Sequence, residues 1–134
     1  MEHAQYQAIN NEADIQVFQN VSNSLHDGYI THVAYNNSGV SAHGNGLSFD
    51  YSKISLVLHV LVTSLPDYPT FELIFQNILE WQVKDYLVSD MIGFSILFLE
   101  NGLLLWADDV CSDIALLKQG CYVIAESIHY RKLP

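Results

Sequence analysis

Apolar residues recur along this chain with two different periods, and the change of period divides it into elements. Ile15, Phe18, Val21 and Leu25 are three and four positions apart, the spacing that aligns side chains on one helical face. Asn11 precedes them as an N-cap, and Asp14 falls at the third helical position, where a carboxylate answers unpaired backbone amides. The helix is expected to end near Ser24, because His26-Asp27-Gly28 breaks the pattern and Gly28 can supply a left-handed cap. Residues 1 to 10 are largely polar and read as a flexible N-terminus ahead of a single globular domain spanning 11 to 134.

From Tyr29 the period drops to two, the mark of a strand. Tyr29, Thr31, Val33 and Tyr35 fall on one face. Asn36 to Gly46 reads as a turn-rich loop, followed by a short strand from Leu47 to Tyr51. Lys53 to Thr63 is the longest strand, with Ile54, Leu56, Leu58, Val60 and Val62 forming one unbroken apolar face. After a Pro66-Asp67-Tyr68-Pro69 turn, Thr70 to Ile78 turns Phe71, Leu73 and Phe75 inward. Leu79 to Asp90 fits neither period and reads as a short helical or irregular crossover.

Met91 to Asp109 is the centre of the pattern. Two apolar arms flank Asn101-Gly102, a pair that tolerates the positive φ of a tight hairpin turn. Ile92, Phe94, Ile96 and Phe98 alternate along the first arm; Leu103 to Trp106 is apolar on both faces, as a strand covered on both sides would be. Asp109 to Gln119 reads as a short helix stopped by Gly120. Cys121 to Tyr130 is a last strand, with Tyr122, Ile124, Glu126, Ile128 and Tyr130 on one face. The fold class that follows is α+β, mainly antiparallel β, with about seven strands in a sandwich or a curled sheet. The N-terminal amphipathic helix covers one open face or edge.

Composition changes this picture in two ways. Charged residues make up 15% of the 134 positions against a usual ~25%, so surface polarity rests heavily on Asn, Ser and Gln. The formal net charge is −10, and the five basic residues, Lys53, Lys84, Lys118, Arg131 and Lys132, leave the first 52 positions without a cation. Such a surface repels a phosphate backbone and an anionic membrane; it suits a basic protein partner or simple solubility. Cys111 and Cys121 form no CxxC pair or ligand spacing and read as reduced thiols of a cytoplasmic protein. The N-terminus lacks the basic and apolar regions of a signal peptide.

The chemistry-bearing residues are few. His26-Asp27 sits between helix and first strand, and an adjacent His and Asp can hold a metal or move a proton. The competing reading is a helix-ending turn in which His26 satisfies a backbone carbonyl. The six histidines have no HxxxH or HxH spacing, although His32 and His59 can face one another across neighbouring strands. Asp108, Asp109 and Asp113 follow the second hairpin arm and Glu100 sits at its turn. They read as a patch for Lys and Arg of a partner, against a helix N-terminus favoured by the dipole. No phosphate loop or nucleophile elbow is present. These residues imply no catalytic group, resident metal or cofactor.

One ordered pattern carries a resemblance. A helix leads to His26-Asp27-Gly28-Tyr29-Ile30 and a strand ending in Tyr35. Phe71-x-Leu73-x-Phe75-x-Asn77, Leu105-Trp106-x-Asp108 and Val123-x-Ala125-x-x-Ile128-x-Tyr130 follow. This order resembles small bacterial β-rich proteins, some of which look like immunity proteins of polymorphic toxin systems. The resemblance implies a β-rich fold and a protein-binding role, with no catalytic residue to transfer. The leading expectation is therefore a small acidic module that masks a basic partner through Glu100, Asp108, Asp109 and Asp113. The alternatives are a metal-assisted enzyme or ligand-binding protein using His26, Asp27 and His59, and a structural homodimer.

Overall fold

Leu56, Leu58, Val60 and Val62, every second residue of one strand, are all withdrawn from solvent, and the sheet is built outward from that strand. The computed structural model describes residues 5–84 and 90–134. In chain order the elements are β1 (Gln7–Ala8), α1 (Glu12–Ser22), β2 (Gly28–Asn37), β3 (Val40–His43), β4 (Gly46–Phe49), β5 (Ile54–Val62), β6 (Thr70–Gln82), β7 (Ser95–Phe98), β8 (Leu104–Ala107), α2 (Ile114–Leu117) and β9 (Tyr122–Lys132). The main sheet runs β2-β5-β6-β9-β8-β7, with β1 added beside the C-terminal half of β9. All of these pairings are antiparallel.

The fold is therefore α+β, with a main open sheet and a separate two-stranded hairpin, and the bridge between Met91 and Gly28 curls the ends of the main sheet toward one another. The segment 90–94 straps the two ends of the sheet: Met91 bridges to Gly28 at the start of β2, and Ser95 opens β7 at the far edge. Helix α1 plugs the inside of the curl. Phe18 is fully buried and meets Phe71 of β6, Phe94 of the strap and Tyr130 of β9, with ring centroids 6.2, 4.8 and 4.0 Å away. A second, smaller core forms on the opposite face, where Leu117 of α2 joins Leu105, Ala107, Tyr122 and Ile124.

The start of α1 follows its local signals. Asn11 accepts from the Asp14 amide at 2.9 Å, and Asp14 accepts from the Asn10 amide at 2.8 Å. The stripe differs by one place. Val21 is 49% exposed, whereas Ser22 is buried and donates to the Phe18 carbonyl at 2.6 Å. Steps of 15, 18, 22 and 25 track the 3.6-residue turn better than a stripe through 21. Gly28 is not the helix cap. Asn23 takes that place at φ 51°, and Gly28 opens β2 where an added Cβ would lie 2.5 Å from the Leu25 carbonyl oxygen.

Other expectations need correction. The N-terminus is not frayed throughout. Gln7 and Ala8 pair with Tyr130 and His129, Ile9 is buried, and its amide donates to the Ile128 carbonyl, because β9 has an open edge beyond the reach of β8. The loop expected over 36–46 holds the end of β2 and a two-stranded hairpin, β3–β4, turning at Gly44-Asn45. Residues 79–82 continue β6 and reach Gln82↔Tyr122, past a bulge between Ile78 and Glu80 that disguises the period; 85–89 lie outside the described residues.

Two strands change faces. A bulge between Ile30 and His32 puts Ile30 and Val33 on the same side, opposite Val60 and Leu58. In β9, Tyr122 and Ile124 belong to the α2 side while Ile128 and Tyr130 belong to the α1 side, so the single face expected for them is split. The β7–β8 hairpin closes through a three-residue loop rather than two. Leu99 and Leu103 still pair, and Glu100-Asn101-Gly102 makes the turn, with Asn101 and Gly102 at φ 64° and 75°. The pairing register moves by one; of the alternating residues of the first arm Phe94 and Ile96 are buried, whereas Ile92 and Phe98 are exposed.

Candidate functional site

Three groups of polar side chains stand out, and they occupy different parts of the sheet. The first is an acidic cleft of about 210 Å³ at the seam of the curl, where Gly28, Asp90, Met91, Asp108, Asp109 and Leu116 are among the lining residues. Its position follows from local bonding. As β8 ends, the Asp108 amide donates to the Cys121 carbonyl, and the Cys121 amide donates back to Asp108 Oδ1, both at 3.1 Å. Ser95 Oγ donates to the Asp109 carbonyl at 2.7 Å, which holds the next residue against the strap. Burial pushes the Asp108 carboxyl upward, against the hydrogen bonding from Cys121, and the Asp109 charge adds to the rise. Carboxylates held near one another in a half-buried cleft suit a cationic group that can neutralise them.

The four carboxylates expected to act together are not one patch. Asp108 and Asp109 line the cleft. Asp113 is the N-cap of α2, accepting from the Ala115 and Leu116 amides, so its oxygen is already engaged. Glu100 lies in the turn at the other end of the β7–β8 hairpin. With a strand rise of about 3.3 Å per residue, β8 alone sets it more than about 13 Å from Asp108. Asp90 was not expected, and it joins the cleft because the strap brings it there.

The second group is a row across the outer face of the sheet. The register aligns His32, His59, Glu72 and Arg131 on β2, β5, β6 and β9. His59 Nε2 donates to Glu72 Oε2 at 2.7 Å, Arg131 Nε donates to Oε1 at 2.9 Å, and Tyr6 donates to the same Oε1. The His32 and His59 rings lie 4.6 Å apart, so the expected facing of these two histidines is present. Arg131 also sits over the Tyr6 ring at 4.6 Å, a cation–π contact. Burial pushes the Glu72 carboxyl upward, but the donors from Tyr6, His59 and Arg131 outweigh it and hold the group below the usual glutamate value. Glu72 is satisfied on both oxygens, and the row ties β5, β6 and β9 to the residue that precedes β1.

The third group is the turn before β2. His26 Nε2 lies 3.7 Å from Asp27 Oδ1, with both side chains about half exposed. His26 Nδ1 donates to the Ile92 carbonyl at 2.8 Å, and the Asp27 carbonyl accepts from the Thr63 amide and hydroxyl. This is the turn-making role. His59 does not converge on it, because Thr63 lies four positions further along the chain, roughly 13 Å of strand. Among the described residues no group of three or more His, Cys, Asp or Glu is placed to hold a metal ion.

Glu72, Arg131 and Tyr6 were missed by sequence reasoning. The one local signal was a carboxylate set between Phe71 and Leu73 in an apolar strand. No helix among the described residues is long and apolar enough to cross a membrane. Comparison with known protein families, with characterised proteins and with solved structures returns no match.

Proposed function

We propose that this protein is a small acidic binding module of the immunity type, which takes a Lys or Arg side chain of a basic protein partner into the cleft at the seam of its sheet. The observation that supports this reading is the meeting of Asp90, Asp108 and Asp109 in one cleft on a chain of net charge −10. Two of its five cations are engaged internally: Lys118 with Glu80 at 2.7 Å and Arg131 with Glu72 at 2.9 Å. The field at the cleft is thus negative, which speeds encounter with a basic surface and weakens as salt screens it.

The test uses the products of the reading frames adjacent to the gene. Each is expressed alone and with this protein, and growth is scored. A basic, growth-inhibiting product neutralised by co-expression is the expected result. Its association rate with the purified protein should fall steeply with ionic strength and fall again in the Asp108→Asn/Asp109→Asn variant. An acidic partner, a salt-independent association, or neutralisation unaffected by that variant would overturn the proposal.

A further inference from the structure

Residues 28 to 49 contain no Asp, Glu, Lys or Arg. This stretch covers β2 and the β3–β4 hairpin, and from 31 to 49 every residue except Gly39 is exposed. Val33, Tyr35, Val40, Leu47 and Phe49 stand out in it as large exposed apolar side chains, the last two more than 60% accessible. Strand β2 is also an edge of the main sheet. Past its bulge, residues 32–37 pair regularly with β5, and among the described residues no strand lies on their other side. Natural edges are guarded by Lys, Pro or inward charge; this one has none of them.

We infer that the β2 edge and the β3–β4 hairpin together form the contact between two copies of this chain. Charge selects the occupant. A copy carrying −10 repels another copy wherever carboxylates meet, and this uncharged stretch is a surface where two copies approach without that cost. Asp50, at the foot of the hairpin, already accepts from the Ser52 amide and hydroxyl, so a basic partner finds little here to pair with. Antiparallel pairing of β2 with β2 of the second copy is self-complementary about a two-fold axis, so one surface serves both sides. It fills the open backbone groups of the edge and lays the exposed hairpin residues of each copy against the other. Residues 32–49 line no part of the acidic cleft, so the contact stands or falls independently of the proposed partner.

Sedimentation velocity over a range of protein and salt concentrations tests this. The expected species is a dimer that tightens as salt rises, because screening relieves the repulsion between like-charged copies. This is the opposite sign to binding of a basic partner. Val33→Lys guards the edge, and Leu47→Glu/Phe49→Glu charges the hairpin. Each should raise the dimer dissociation constant about tenfold or more. The hairpin adds no residue to either buried cluster, so the second variant keeps the fold, which circular dichroism verifies. A monomer throughout, or a dimer that either folded variant leaves intact, would overturn the inference.

Discussion

Phe18 and Tyr130 stack face to face, ring centroids 4.0 Å apart and planes 18° from parallel. One residue lies on the helix laid down early in the chain and the other on its last strand, so this contact closes the fold. Burying two aromatic rings against each other adds to the area term by about 0.5–1.5 kcal/mol. Phe18→Ala should therefore cost about 3–5 kcal/mol, read as a lower urea midpoint. Val21→Lys, on the same helix but facing water, should stay within about 0.5 kcal/mol of wild type.

Glu72 gives the acid limb of the stability curve a definite sign. Its carboxyl is held below its ordinary value of 4.5 by the donors around it, in spite of burial. A lowered carboxylate stabilises the fold in full above that ordinary value, and the contribution is lost as pH falls through the lowered one. Glu72→Gln should cost about 2 kcal/mol near neutrality, through lost charge-assisted hydrogen bonds. Its thermal midpoint should also fall less between pH 5 and pH 3 than that of the wild type.

Asp108 works in the other direction. Burial raises its pKa, so the native state holds this proton more tightly than the unfolded chain does. Its effect on stability is most favourable below the unfolded-state value, near 3.8, and is given up as pH rises through the raised one. Asp108→Asn can still accept from the Cys121 amide, and is expected to raise the thermal midpoint at pH 7. Asp108→Ala leaves that amide without its side-chain partner and should cost about 1–3 kcal/mol. Melting curves of the two variants distinguish the charge from the hydrogen bond.

Gly28 should tolerate no side chain. An added Cβ meets the Leu25 carbonyl oxygen at 2.5 Å and Val60 Cγ1 at 2.9 Å, and both belong to the packed interior. Gly28→Ala is expected to cost about 1–3 kcal/mol by overpacking. Gly46→Ala, whose nearest contact is an ordinary 3.6 Å, serves as the matched control. Denaturant titrations of the pair should differ by most of that amount.

What could be read ahead of the structure was whatever is decided within a few residues. The Asn11 cap needs only Asp14, and the face of β5 needs only its own alternation. The β3–β4 hairpin was hidden because all of its residues are exposed, so no apolar period records it among the turn residues. The splitting of Tyr122 and Ile124 from Ile128 and Tyr130 was hidden for another reason. Residues 122–125 are apolar without a break, so alternation within β9 cannot say which of them share the side of Ile128 and Tyr130. The row containing Glu72 was half legible. His32 and His59 are on strands joined by the chain's own early pairing, whereas Arg131 reaches Glu72 across 59 residues. Asp90 carried no local signal, since its place depends on where the strap lands.

That strap has a mechanical meaning. The sheet is fastened to itself there by the Met91–Gly28 bridge, the Asp27 amide on the Met91 carbonyl and His26 on the Ile92 carbonyl, with the acidic cleft directly alongside. A guest lodged in the cleft would touch both lips of the seam and act as a clasp. Occupancy would then slow the parting of the two lips and the exchange of amide hydrogens behind them.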